Sequence, residues 1–172
     1  SGDDRGEAVL ELGRHAPEFT LPNQDGEDVS LSTLLHRGPL LLYFYSADFA
    51  PACIRQAEAI ARIHEQLQHD GVLVAGISPQ SSASHARFRR RFNLPQQLLS
   101  DEEKAVIRMY DVAGPMGMLV RRATYLIDQG RILRGAVLAD FRTAAHIDFM
   151  LEAHRRLAAI AAELLRRRNA AA

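Results

Sequence analysis

A single cysteine, Cys53, stands where an apolar run passes through a short loop into a helical pattern. The run, Leu40-Leu41-Leu42-Tyr43-Phe44-Tyr45, is too apolar and aromatic for a half-exposed strand and reads as a central strand buried on both faces. From Cys53 onward Ile54, Ala57, Ile60, Ile63 and Leu67 recur at helical spacing, with Arg55, Arg62, Glu65 and Gln66 between them. Cys53 therefore falls in or near the first turn of a helix. The unbonded N–H groups and the dipole at a helix start favour negative charge. The thiolate is the reactive form of cysteine, and Arg55, close in sequence, adds positive potential. Free cysteine also packs well in cores, so position alone supports an inert thiol as readily as a reactive one.

The elements that must position this cysteine follow from composition and pattern. At 172 residues and 47% hydrophobic, residues 1–172 read as one globular domain with a real core. Lys plus Arg and Asp plus Glu number 21 each, which leaves no global basic field for nucleic acid. One cysteine forbids an internal disulfide and argues against a disulfide-built secreted fold. No apolar run approaches a membrane span and no signal peptide is visible, so a cytoplasmic protein is expected.

The polar stretch 1–13 is expected to be flexible. Ala16 to Pro22 is extended, Asn23-Gln24-Asp25-Gly26 is a turn signal, and Val29-Ser30-Leu31 returns, giving a hairpin suited to covering a sheet edge. Ser32 is the expected N-cap of a short helix over Leu34 and Leu35, closed by Gly38-Pro39. After the cysteine helix and its stop at His69-Asp70-Gly71, Val72 to Ser78 is a second buried strand. Two apolar strands around one amphipathic helix make a βαβ unit with parallel strands. The loop Ser78 to Ser81 then lies at the same end of the sheet as Cys53.

Ser84 to Phe92 reads as a helix with Phe88 and Phe92 on one face. Its arginines, Arg87, Arg89, Arg90 and Arg91, fit a solvated face better than a nucleic-acid patch, because no stacking platform accompanies them. Leu98-Leu99-Ser100-Asp101 leads to another helix through Tyr110. Ala113 to Leu119 is a flexible apolar loop that could cover the core, wall a pocket or make a dimer contact. Arg122 to Asp128 and Arg131 to Val137 are two strands around a tight turn. Thr143 to Arg168, residues 143–168, reads as one long helix with Ile147, Met150, Leu151, His154, Leu157, Ala161 and Leu164 on its apolar face. The histidines lack the i, i+4 spacing of a helical zinc site, and no metal is expected.

With these residues in view, Tyr45-Ser46-Ala47-Asp48-Phe49-Ala50-Pro51-Ala52-Cys53 resembles the peroxidatic loop of the peroxiredoxins, whose pattern is Pro, three residues, Thr or Ser, two residues, Cys. Cys53 matches the peroxidatic cysteine and Pro51 the proline two before it. Ser46 replaces the motif proline, and Ala50 replaces the Thr or Ser. Ala16-Pro17-Glu18-Phe19-Thr20-Leu21 resembles the family's opening. Ser78-Pro79-Gln80-Ser81, Ser84-His85 with Phe88, Leu94-Pro95, Leu98-Leu99-Ser100-Asp101 and Tyr110-Asp111-Val112 follow in the order of the Q-type, bacterioferritin-comigratory-protein group. Arg122-Ala123-Thr124-Tyr125-Leu126-Ile127-Asp128 resembles that family's Arg-x-Thr-Phe-Leu-Ile-Asp. It places Arg122 on the arginine that faces the cysteine; Arg121 competes, but Arg122 keeps the spacing to Tyr125. The resemblance covers about 16–137.

The resemblance implies an α/β, thioredoxin-like fold in its peroxiredoxin elaboration: a central mixed sheet flanked by helices, an N-terminal hairpin and a long C-terminal helix. It implies thiol-dependent reduction of hydrogen peroxide or an organic hydroperoxide, with Cys53 passing to a sulfenic acid. Arg122 would hold thiolate and peroxide, and Ala50, Pro51 and Ala52 would line the substrate site, with the Ala52-Cys53 N–H groups as an anion nest. No cofactor is implied. The position of the Q-type resolving cysteine, five residues on, is Glu58. The cycle is therefore expected to be one-cysteine, with an external thiol reductant (thioredoxin, glutaredoxin or a small thiol) and a monomer or homodimer as the working unit. Glu58 would disfavour a thiolate if it faced the sulfur. The hydroxyl missing at Ala50 predicts a slow or specialised peroxidase. Two rivals stand beside this: a thioredoxin-like oxidoreductase whose attacking cysteine is lost from Ala50-Pro51-Ala52-Cys53, and a non-catalytic peroxiredoxin-like binding or redox-sensing protein.

Overall fold

The computed structural model describes residues 10–172. Residues 1–9 of the stretch expected to be flexible lie outside the described residues, but Leu10 to Gly13 is tied down. The Leu10 N–H donates to the Tyr125 hydroxyl at 3.1 Å and the Gly13 N–H to the Leu133 carbonyl at 2.8 Å. Leu10 packs on the core, so its apolar contact offsets the cost of ordering the segment.

The chain runs β1 (Thr20–Pro22), β2 (Asp28–Ser30), α1 (Leu31–Arg37), β3 (Leu40–Phe44), α2 (Pro51–His69), β4 (Leu73–Ser78), α3 (Ser82–Phe92), β5 (Gln97–Ser100), α4 (Ala105–Met109), β6 (Ala123–Ile127), β7 (Leu133–Leu138), α5 (Thr143–Leu151) and α6 (Ala153–Ala171). The main sheet has the order β5-β4-β3-β6-β7, with β5-β4-β3 parallel and β3-β6-β7 antiparallel. It is the mixed, helix-flanked sheet the sequence implied.

Every residue of β3 is buried, and alternation sends its side chains to two cores. Leu40, Leu42 and Phe44 join α1, α4 and the N-terminal segment; Leu41 and Tyr43 join α2, α3 and α5. Tyr43 pairs with Gly76 on β4, and a Cβ on Gly76 would lie 2.6 Å from the Tyr43 ring. Only glycine lets that ring lie flat against the neighbouring strand, where it stacks on Tyr45.

The N-terminal hairpin covers the sheet edge as expected. Gln24 Oε1 accepts from the Leu98 N–H at 3.1 Å, which caps the free side of β5. Three local readings change. Ser30, not Ser32, caps α1: its Oγ accepts from the Thr33 N–H at 3.0 Å. Leu98 to Ser100 belongs to an edge strand, β5, rather than to a helix lead-in. Residues 143–168 are not one helix: the chain breaks at Glu152 (φ −93°, ψ −2°) into α5 and α6. The break lets α5 bury His146 and Met150 against α2 and β7 while α6 runs on with Leu164 and Leu165 exposed. The loop 113–119 does not cover the core, since Met116, Met118 and Leu119 are exposed. Arg87, Arg90 and Arg91 are exposed on α3, a solvated face, while Phe88 and Phe92 pack edge to face.

Candidate active site

The C-terminal end of β3 delivers the chain into the loop 45–50, and Pro51 starts α2 at its first position, where a missing N–H costs nothing. Ala50 is the N-cap and has no side-chain capping bond. The first helical bond is Ile54 N–H to Ala50 O at 2.9 Å. The Ala52 and Cys53 N–H groups precede it and have no intrahelical acceptor. Cys53 sits in this first turn and is 2% exposed.

Arg122 immediately precedes β6, whose Ala123 lies opposite Phe44. That register puts Arg122 beside the start of the loop. Its Nη2 donates to Cys53 Sγ at 2.9 Å and its Nη1 to Gln56 Oε1 at 2.8 Å. Arg121 turns the other way and its Nε pairs with Asp140 Oδ2 at 2.8 Å, as alternation along an extended chain requires. The other Asp140 oxygen accepts from the Arg122 N–H at 3.0 Å. Arg55 is exposed and Glu58 is half-buried; among the described residues the side-chain polar atoms bonded to Sγ belong to Arg122 and Ser46.

Sequence reasoning missed two features. Gln56, one helical turn after Cys53 and 1% exposed, orients the Arg122 guanidinium, while its own Nε2 is buried without a partner. The i, i+3 spacing was the available signal. The second is a buried latch. Asp48 Oδ1 accepts from the Tyr45 hydroxyl at 2.7 Å, and Oδ2 accepts from Ser84 Oγ at 2.7 Å and faces His85 Nδ1 at 2.8 Å. His85 Nε2 donates to the Leu99 carbonyl at 3.0 Å. His85 thus faces a carboxylate oxygen with one ring nitrogen and a backbone carbonyl with the other, which ties Asp48 to α3 and β5 inside the core. Burial pushes Tyr45 well above the usual phenol range, which keeps it a donor to Asp48. Phe49 holds a left-handed φ of 65° and packs on Phe88 and Phe92. Latch and aromatic clamp together pin the loop to α3.

Behind Arg122, the Ala139 N–H donates to the Arg122 carbonyl at 3.0 Å, and the Ala139 carbonyl accepts from His146 Nε2 at 2.8 Å. The Thr124 hydroxyl meets His146 Nδ1 at 2.8 Å, so the fully buried ring has both nitrogens hydrogen-bonded in its neutral form. Burial pushes its pKa below the usual 6.5; the Ala139 carbonyl opposes this, and nearby Arg122 adds to it. The unfolded chain therefore takes up a proton at His146 that the folded chain resists. Stability from this group is complete above about pH 6.5 and is lost as pH falls from there towards the lowered folded value. Urea unfolding of the wild type should weaken between pH about 7 and about 5, and His146→Asn should flatten that slope. An unaltered slope in the variant would place the acid sensitivity elsewhere.

The AhpC/TSA family model matches residues 12–136. Peroxiredoxin Q of Suaeda salsa, named as chloroplastic, is 38% identical over 146 residues, 84% of this chain and 68% of that protein. A peroxiredoxin bcp of Coxiella burnetii is 35% identical over 144 residues, 80% of this chain and 94% of the other. Among solved structures, peroxidoxin BcpB of Mycobacterium tuberculosis superposes with a TM-score of 0.80 at 30% identity, covering 85% of this chain and 97% of that one. No helix among the described residues is long and apolar enough to cross a membrane. With a family match over most of its length, and relatives and a solved structure that agree with it, the chain belongs to the AhpC/TSA family and, within it, to the peroxiredoxin Q/bcp thiol peroxidases.

Proposed function

We propose that Cys53 is the peroxidatic thiol of a one-cysteine cycle that reduces hydrogen peroxide or an organic hydroperoxide, and that Arg122 is its electrostatic partner. The observation that carries this reading is the Arg122 guanidinium 2.9 Å from a sulfur at the first turn of α2. Positive charge from the side chain and from the helix start converge on one atom. The Cys53 thiolate attacks the terminal oxygen of ROOH. A sulfur–oxygen bond forms, the oxygen–oxygen bond breaks, and RO⁻ leaves and takes a proton to become ROH. Arg122 and the Ala52 and Cys53 N–H groups stabilise the departing negative charge. In this reading Ala50, Pro51 and Ala52, which lead into the first turn of α2, line the peroxide site.

The sulfenic acid then meets a thiol from outside the chain, because Cys53 is the only cysteine. R′SH displaces water to give Cys53–S–SR′, and a second R′SH releases R′SSR′ and restores the thiol. Cys53 is 2% exposed, so a protein reductant such as thioredoxin or glutaredoxin needs the loop 46–50 to move outward, whereas a small thiol needs less room. The test is steady-state consumption of hydrogen peroxide by the reduced protein with dithiothreitol. Catalysed consumption that disappears in Cys53→Ser is the expected result. Consumption no faster than dithiothreitol alone would remove the peroxidase reading in favour of a non-catalytic binding or sensing role.

A further inference from the structure

Two side-chain polar atoms reach Cys53 Sγ among the described residues: Arg122 Nη2 at 2.9 Å and Ser46 Oγ at 3.5 Å. They differ in what they can do. A guanidinium only donates, whereas a hydroxyl donates and accepts. Gln56 Oε1, a nearby side-chain acceptor, is already taken by Arg122. A hydroperoxide docked for attack keeps its O–H hydrogen until the oxygen–oxygen bond breaks. In a site that is nearly closed to water, that hydrogen needs an acceptor, or its desolvation is uncompensated.

We infer that Ser46 is a catalytic residue whose hydroxyl accepts the hydrogen bond of the bound peroxide and donates to the Cys53 sulfur, so aligning the oxygen–oxygen bond with the nucleophile. Ser46 has this role only if Cys53 is the peroxidatic thiol proposed above. The geometry fits: an oxygen in near-attack contact sits about 3–3.5 Å from the sulfur, and Ser46 Oγ is at hydrogen-bond range of that same sulfur. Ser46 Oγ has no other hydrogen-bond partner among the described residues, so its hydroxyl is free to turn towards a substrate. The backbone also supports it. The adjacent Tyr45 is held by its N–H to the Ile77 carbonyl at 3.1 Å and by its hydroxyl to Asp48 at 2.7 Å, which fixes where residue 46 leaves the strand. Ala50, half-buried beside Cys53, offers no hydroxyl from the helix side. The chain thus presents its orienting hydroxyl from the start of the loop rather than from the N-cap.

The experiment is stopped-flow oxidation of the reduced protein by hydrogen peroxide for wild type, Ser46→Ala, Ala50→Thr and the double variant. Alkylation of Cys53 by iodoacetamide runs in parallel, and circular dichroism checks the fold. Ser46→Ala should slow oxidation about tenfold to a hundredfold, the value of a hydrogen bond to a charged group expressed as rate. Alkylation, which loses only the donor to the sulfur and brings no hydroperoxide hydrogen to be accepted, should change much less than oxidation. Ala50→Thr should speed the Ser46→Ala protein by about tenfold, and the wild type by much less, because the two hydroxyls serve one sulfur. Oxidation of Ser46→Ala at the wild-type rate, or alkylation slowed as much as oxidation, or equal acceleration by Ala50→Thr in both backgrounds, would overturn the assignment of Ser46. A wild type whose Cys53 is not oxidised at all would instead remove the peroxidase reading on which it rests.

Discussion

Replacing Arg122 by Met should slow oxidation of Cys53 by hydrogen peroxide by about a hundredfold to a thousandfold, the usual loss when one preorganised donor is removed from a developing oxyanion. The guanidinium has two tasks at the sulfur. Before reaction its Nη2 faces the nucleophile at 2.9 Å, and during reaction the same charge meets the negative charge moving onto the leaving oxygen. It is fixed for both, because Nη1 is held by Gln56 at 2.8 Å and the backbone N–H by Asp140 at 3.0 Å. Met preserves the length and apolar stem but removes the charge and both donors. Arg122→Lys should recover only part of the rate, since an ammonium cannot bridge sulfur and amide from one rigid plane. Arg121→Met is the control. Its guanidinium pairs with Asp140 on the other side of the chain, and its effect should stay within about tenfold. Second-order rate constants for the three variants at one pH decide the matter, and equal losses for Arg121 and Arg122 would contradict the placement.

The second large effect is on stability. Removing the His85 ring as His85→Leu, or the carboxylate as Asp48→Ala, should cost at least about 2 kcal/mol of unfolding free energy, because each leaves two or more buried polar groups short of a hydrogen-bond partner. Both side chains are fully buried at a separation of 2.8 Å. His85→Leu also strands the Leu99 carbonyl, and Asp48→Ala strands the Tyr45 and Ser84 hydroxyls. The double variant should lose less than the sum of the two single losses, which is the signature of a direct pair. Guanidinium unfolding at constant m-value measures all three. Single variants within about 1 kcal/mol of the wild type would mean that the latch does not hold the loop. A loosened latch should also slow oxidation, since loop 45–50 carries both Ser46 and the N-cap of the cysteine helix.

What could be read from the sequence divides along physical lines. The buried strand Leu40–Phe44 and the amphipathic α2 were legible because burial on two faces and on one face leave different periodicities. The break at Glu152 was not, because neither glycine nor proline marks it and the apolar pattern runs through; packing of α5 against α2 decides it. β5 is hidden because four residues are too few for a periodicity, and on one side it meets only a single bridge at Asn23 and the Gln24 side chain rather than a full strand. In the candidate site, motif and spacing single out Cys53 and Arg122, and the register to Tyr125 favours Arg122 over Arg121, the arginine whose guanidinium meets the sulfur being Arg122. Ser84 and His85 were noticed as part of an ordered motif, but their partner Asp48 lies far away in sequence, and a contact of that kind leaves no local trace. Ser46 reads as a departure from a motif that still carries a hydroxyl, and its distance to the sulfur supports the role inferred for it.

The central claim is that Cys53 is the atom that meets peroxide. The most direct measurement is stopped-flow titration of the reduced protein with dilute hydrogen peroxide, quenched with a dimedone-type probe and read by mass spectrometry of the peptide that contains Cys53. The account predicts rapid loss of one thiol per chain and a single probe adduct on Cys53, absent in Cys53→Ser. A folded protein whose Cys53 is still an unmodified thiol after minutes in excess peroxide would contradict it.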